Sequence, residues 1–227
     1  MKKLSFVVVG LGRFGSAMAI SLTELGQDVI GVDLDGNRVQ KHADLIGSAV
    51  ELDATDERSL KRAGVADVDT AVISIGESIE ASLLAVMVLK DLGVPRIVAK
   101  AVTPLHGRIL ERLGVDRVIF PEREMAIRVA HSLVVPNVLD YIELSRDFSI
   151  VEVPAPPEFT GQTLKELQLR NRYGLTLIAI KRAGAVGSGV TTIAPSADDA
   201  IEAGDVLSLL GPNERLAQID RLLEAKR

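Results

Sequence analysis

Short apolar runs and stretches of helical spacing alternate along the chain from Leu4 to Phe120. The runs at 4–9, 29–33, 48–52, 70–75, 96–101 and 117–120 predict strands, and the intervening patterns predict helices near 14–26, 36–45, 56–63, 78–92 and 104–113. Runs such as Thr70-Ala-Val-Ile-Ser-Ile75 are nearly continuous in apolar character, as expected where helices cover both faces of a parallel sheet. The predicted class is therefore α/β, with a doubly wound parallel sheet of six strands. After Phe120 the alternation stops. Residues Glu122–Val135 read as an amphipathic helix with Met125, Val129, Leu133 and Ala126, Ala130, Val134 on adjoining faces; Pro136 interrupts it, and 137–144 reads as a second short helix. This helical crossover needs an apolar surface to pack on, and a second subunit would supply one. From Phe148 a new pattern predicts a strand near 148–153, a short helix capped by Thr163, a strand at 175–180, a turn at 184–189, strands at 191–193 and 206–210, and a helix at 213–224. That is a small α+β domain with a mostly antiparallel sheet. The expected organisation is an α/β domain over 1–135, a helical linker over 136–147 and the small α+β domain over 148–227.

The first strand runs directly into Gly10, Gly12 and Gly15, and a helix follows. In the Rossmann-like G-x-G-x-x-G turn the first glycine allows the tight bend, the second lets backbone approach a pyrophosphate, and the third lets helix and strand pack closely. The amide groups opening the helix then face the phosphates. The second strand ends in Asp33, 18 residues after Gly15 and near the offset at which a carboxylate holds ribose hydroxyls.

In an open parallel sheet ligands bind beyond the carboxyl ends of the strands. The residues to inspect there are the glycine turn, Asp33 to Asp35, Asp53 to Thr55, Ile75 with Gly76, Lys100 with Ala101, and Pro121 with Glu122. Arg13, inside the glycine turn, has a fork suited to phosphate or else points to solvent. Asp53 and Thr55 either hydrogen-bond an adenine edge or cap the helix beginning near Asp56. Lys100 is either a solvated strand-end lysine or a phosphate ligand. Glu122, second residue of its helix, at the least favours the helix dipole.

The 227-residue chain carries a net charge of −5, which offers no basic stripe for a nucleic-acid backbone. It has no cysteine, so disulfides, thiolate catalysis and Cys-ligated metals are excluded. The basic start resembles a signal peptide only until Gly10, Gly12 and Arg13 interrupt the apolar run, and no stretch approaches about 18 uninterrupted apolar residues. A soluble, cytoplasmic protein is expected.

Gly10-Leu-Gly-Arg-Phe-Gly15, Val32-Asp33, Asp53-Ala-Thr55, Ala71-Val-Ile-Ser-Ile-Gly76, Val98-Ala-Lys100, Gly114-Val-Asp-Arg-Val-Ile-Phe-Pro-Glu122 and Tyr173-Gly-Leu-Thr-Leu-Ile-Ala-Ile-Lys-Arg182 occur in order over essentially the whole chain. Together they resemble the cytosolic regulators of potassium uptake of the Ktr and Trk type, which pair an N-terminal with a C-terminal RCK domain (regulator of conductance of potassium). The resemblance implies a non-enzymatic gating subunit, assembled from dimers into an octameric ring on the cytoplasmic face of a membrane-embedded potassium channel or transporter subunit. It implies switching by ATP against ADP, or by NAD(H). Carried over by position, Gly10, Gly12 and Gly15 would line the phosphates, with Phe14 of the same turn among the binding residues. Asp33 would hold the ribose with Asp35 beside it. Arg13 would contact terminal phosphates, often across a subunit boundary. Asp53, Ala54 and Thr55 would flank the adenine, Ile75 and Gly76 the ribose and phosphates, and Lys100 the phosphate side. Glu122 would serve a divalent cation such as Mg at the dimer interface. Similar chains bind cyclic di-AMP near the stretch of Arg170, Asn171 and Tyr173.

The alternative from another class is an NAD-dependent oxidoreductase, which needs an acid–base residue beyond the sheet. His42 and His106 fall in predicted helices and His131 on the crossover helix, a poor supply of such groups. Asp33 would also repel the 2′-phosphate of NADP.

Overall fold

A computed structural model describes residues 3–134, 139–182 and 190–224. By its internal contacts the chain divides into two compact units, 1–122 and 123–227.

The first unit opens with β1 (Ser5–Val9), α1 (Arg13–Glu24), β2 (Asp28–Asp33), α2 (Gly36–His42), β3 (Ser48–Glu51) and α3 (Glu57–Arg62). It continues with β4 (Thr70–Ile73), α4 (Ile79–Asp91), β5 (Ile97–Lys100), α5 (Pro104–Arg112) and β6 (Arg117–Ile119). Its six strands are all parallel in the order β3-β2-β1-β4-β5-β6. The apolar runs make strands because both sheet faces are covered. Val7 and Val9 enter one core cluster with Ala71 and Ile73, while Val8 enters another with Val72, the period-two split of a strand with helices on either side. Side-chain oxygens of Asp35, Asp56, Ser78 and Thr103 cap α2, α3, α4 and α5, so each helix starts where a strand-end loop supplies an acceptor.

The helix α6 (Pro121–Val134) begins at the end of the first unit and continues into the second. The second unit then holds β7 (Asp140–Glu143), β8 (Phe148–Pro154), α7 (Leu164–Leu167), α8 (Leu169–Tyr173), β9 (Thr176–Arg182), β10 (Val190–Ile193), β11 (Val206–Pro212) and α9 (Asn213–Glu224). Its strands are antiparallel in the order β10-β9-β11-β8-β7. Thr163 and Glu166 form a capping box that starts α7.

The helix expected over 137–144 is corrected. Residues 137 and 138, like Val135, Pro136 and the expected turn at 184–189, lie outside the described residues, and 140–143 is a strand. Tyr141 pairs with Val151 and Ile142 with Ile150 across a hairpin closed by Leu144 and Ser145, whose amides both reach the Phe148 carbonyl. Tyr and Ile suit a pleated surface, and cross-strand pairing overrides a helix-like local pattern. Arg128 on α6 adds a grip on both oxygens of Asp140 at 2.6 Å. The charged segment before β9, for which the pattern predicts no element, is the short helix α8.

Candidate nucleotide site

β1 lies between β2 and β4, and from it the chain winds outward in both directions, which makes its carboxyl end the topological switch point. Gly10 turns there with φ +91°, a left-handed value that favours glycine. Its amide donates to the Val32 carbonyl at 2.7 Å and its carbonyl accepts from Ser74 Oγ at 2.6 Å, so the turn is tied to β2 on one side and β4 on the other. A Cβ on Gly15 would overlap the Gly10 carbonyl oxygen and Ser74 Oγ, which is why the third glycine of the turn is obligatory for packing. Gly12 is different. Its φ of −66° suits any residue, and a Cβ there would meet nothing within 4 Å. The fold leaves open space in front of Gly12, where α1 starts without a side-chain cap, and the helix's first amides are left to an external acceptor. Arg13 is exposed and Phe14 half-buried beside that space.

Asp33, only 7% exposed, closes β2. One carboxylate oxygen accepts from the Leu11 amide at 2.6 Å and the other from the Asp35 amide at 2.9 Å, so the acid is locked against the glycine turn. Asp35 is the cap of α2, accepting from the Asn37 amide at 2.9 Å. Arg38, which sequence reasoning passed over, reaches back from α2. It lies 3.6 Å from Asp33 and from Asp35 and bonds Glu77 beyond β4 at 2.7 Å. The Glu77 bond, with Asp33 beside it, raises the guanidinium pKa further above its ordinary value. A cation five residues after the strand-end acid was the available signal; its reach to Glu77 was not. Ser74 was also missed, although a hydroxyl at the carboxyl end of an apolar strand is a visible oddity.

Asp53 and Thr55 do not cap α3, since that cap is Asp56. Asp53 instead accepts from both the amide and the hydroxyl of Thr55 at 2.8 Å, a self-contained turn at the end of β3. The Ala54 side chain is buried in the core beneath, which leaves its backbone as the part able to meet a ligand.

On the other side of β1, Ile75 is half-buried and Gly76 exposed after β4. Lys100 ends β5 with its side chain only 12% exposed, which excludes a freely solvated lysine. A Cβ on Gly76 would sit 3.6 Å from its Nζ. Lys100 Nζ bonds Glu122 at 2.5 Å, and Glu122 is in the first turn of α6. The lysine bond first, then the helix-terminal amide and the charges of Lys100 and Arg13, hold the Glu122 carboxyl below the usual carboxylate range against its partial burial. The structure thus gathers Lys100 and Glu122, with Arg13 near enough to act on Glu122, on one side of the glycine turn and Asp33, Asp35 and Arg38 on the other; Glu77, next to Gly76 in the chain, is joined to the second group by its bond to Arg38. Among the described residues no group of three or more His, Asp or Glu side chains is arranged to hold a metal ion. Both His42 and His106 are buried away from this edge's open space. His42 Nδ1 lies 2.7 Å from the Arg38 carbonyl, and burial lowers the pKa of His106, which is 1% exposed.

In the second unit a cleft of about 230 Å³ is lined by Leu164, Gln168, Arg170, Asn171 and Leu177, among others. Tyr173 is turned instead to Phe159, with ring centroids 5.5 Å apart. No helix among the described residues is long and apolar enough to cross a membrane.

Residues 6–121 match the TrkA-N domain and residues 148–224 the TrkA-C domain. The chain is 40% identical to the Ktr system potassium uptake protein C of Bacillus subtilis (strain 168) over 227 residues, all of both chains. It is 34% identical to the Ktr system potassium uptake protein A of the same organism over 97% of each. Among solved structures, the GsuK channel bound to NAD shares its fold with a TM-score of 0.63 at 21% identity, over 98% of this chain and 40% of that one.

Proposed function

The chain belongs to the family of Ktr and Trk potassium-uptake proteins built from a TrkA-N and a TrkA-C domain, and from that premise we propose that it is the nucleotide-binding regulatory subunit of a potassium channel or transporter. It binds an adenine nucleotide at the carboxyl edge of the parallel sheet, works on the cytoplasmic side of the membrane as a ring of identical subunits, octameric by resemblance, and catalyses no reaction. The observation that carries the reading is the open space at Gly12, which the fold itself does not need, set between a locked ribose acid at Asp33 and the charged group of Arg13, Lys100 and Glu122.

In this reading the glycine turn and the first amides of α1 take the phosphates, Asp33 the ribose, and Asp53 to Thr55 the adenine. A ligand shifts a two-state assembly only through differential affinity, so ATP and ADP must differ in their contacts. Arg13, exposed and without an ion pair among the described residues, is the group free to follow an added phosphate. A divalent cation such as Mg at Glu122 would offset repulsion between that carboxylate and the phosphate, and would take further ligands from the phosphate itself. NAD(H) fits the same turn and ribose acid. The cleft around Arg170 and Asn171 is the place for cyclic di-AMP. An oxidoreductase would need an acid–base residue at this edge, and His42 and His106 are both buried.

The test is thermal stabilisation together with particle mass by light scattering, with ATP, ADP, NADH, cyclic di-AMP or no ligand. A large ring stabilised by both ATP and ADP is expected. A monomer or dimer stabilised by NADH alone would return the oxidoreductase to first place.

A further inference from the structure

The Arg38–Glu77 ion pair spans the switch point. Arg38 stands on α2 after β2, and Glu77 follows β4; β1 lies between those strands. Neighbouring strands are about 4.8 Å apart, so the pair bridges a gap of about 10 Å over the end of β1. It does so beside Asp33, whose carboxylate lies 3.6 Å from the same guanidinium. A ribose held by Asp33, with its 5′ oxygen toward Gly12, would turn its base away from the phosphates and past the end of β2, with Asp53 to Thr55 on the β3 side and the span toward β4 on the other. That span is the one Arg38 crosses.

Resting on the nucleotide reading above, we infer that Arg38, held in place by Glu77, covers the purine base and is a specificity-determining residue of the site. A guanidinium is planar, always charged and weakly hydrated, and it stacks on aromatic faces. Bonding Glu77 at 2.7 Å through one nitrogen aims the group across the slot, and the Arg38 side chain stays 38% exposed and so open to a flat ligand. Its base is firm as well, because α2 is capped by Asp35, and His42 holds the Arg38 carbonyl at 2.7 Å. With Asp33, Asp35 and Glu77 around a single guanidinium, the cluster stays net negative, which suits a neutral base and ribose and not a further phosphate.

Calorimetric titration of the full-length protein with ATP, with AMP and ribose 5-phosphate as competitors, tests this on the wild type, Arg38→Ala and Glu77→Gln. Unliganded melting curves establish that each variant folds. Ribose 5-phosphate keeps the sugar and phosphate and lacks the base. Arg38→Ala is expected to weaken AMP about 3- to 30-fold, the range of a cation–π contact, and to change ribose 5-phosphate less than about twofold. Glu77→Gln should act on AMP in the same direction and less. Equal weakening of both competitors would mean that Arg38 acts through Asp33, and unchanged or tighter AMP binding would mean that it covers nothing; each result overturns the inference. A wild-type protein that binds neither ATP nor AMP would instead overturn the nucleotide reading itself.

Discussion

At the Asp33 end of the carboxyl edge both carboxylate oxygens are already held by the Leu11 and Asp35 amides, and the neighbouring cation is engaged by three acids. At the Gly12 end the space is open, Arg13 is exposed, and the one close ion pair joins a nearly buried lysine to an exposed glutamate. The first end is preorganised and presents the same surface whatever the phosphate count. The second is charged and open, and in the proposed reading it is where nucleotides that differ in their phosphates would be told apart. A sensor needs both: binding that does not depend on the phosphate count, and a response that does.

Four changes break or sharpen this contrast. Gly15→Ala removes the frame on which both ends hang, because the new methyl would collide with the Gly10 carbonyl and Ser74; overpacking against backbone costs about 3 kcal/mol or more, and chemical denaturation should show it. Asp33→Ala disables the locked end, leaves the Leu11 and Asp35 amides without their acceptor, and should weaken ATP, ADP and NADH alike by about 10- to 100-fold in calorimetric titration. Gly12→Ala fills the open end. Its melting temperature should shift little, since the conformation is ordinary and the cost is that of a poorer helix cap, about 0.5–1 kcal/mol, while nucleotide stabilisation is lost. A Gly12→Ala protein still stabilised by ATP would remove the cradle from the account.

The smallest effect is electrostatic. Glu122 has a folded-state pKa below its ordinary value, so its contribution to stability is fully present above the usual carboxylate range and is lost as the pH falls through the lowered pKa. Between pH 6 and pH 3 the wild type should lose more stability than Glu122→Gln, by a modest margin because the carboxylate is 69% exposed. Parallel pH profiles would remove the Lys100–Glu122 pair from the argument.

The same contrast marks what could be read from residues alone. The parallel sheet was legible because burial on both faces leaves unbroken apolar runs, and because Gly10, Gly15 and Asp33 do jobs that few other residues can do at those places. Segment 140–143 was not, since a short strand held by partners six to twelve residues away looks locally like a helix. Arg38 was invisible for a related reason: its meaning lies in Glu77, 39 residues along the chain and on the far side of β1. The core place of Ala54 and the near-burial of Lys100 likewise depend on neighbours from other elements. Chemistry carried by backbone geometry was readable in advance, and chemistry carried by reach between loops needed the fold.

The most direct test of a charged, phosphate-reading end is titration of ATP and ADP into the wild type and Arg13→Ala at fixed ionic strength. The account predicts a loss of about tenfold for ATP and less than about threefold for ADP, the value of one charge-assisted hydrogen bond made only to the added phosphate. Equal losses for the two nucleotides, or none, would contradict it.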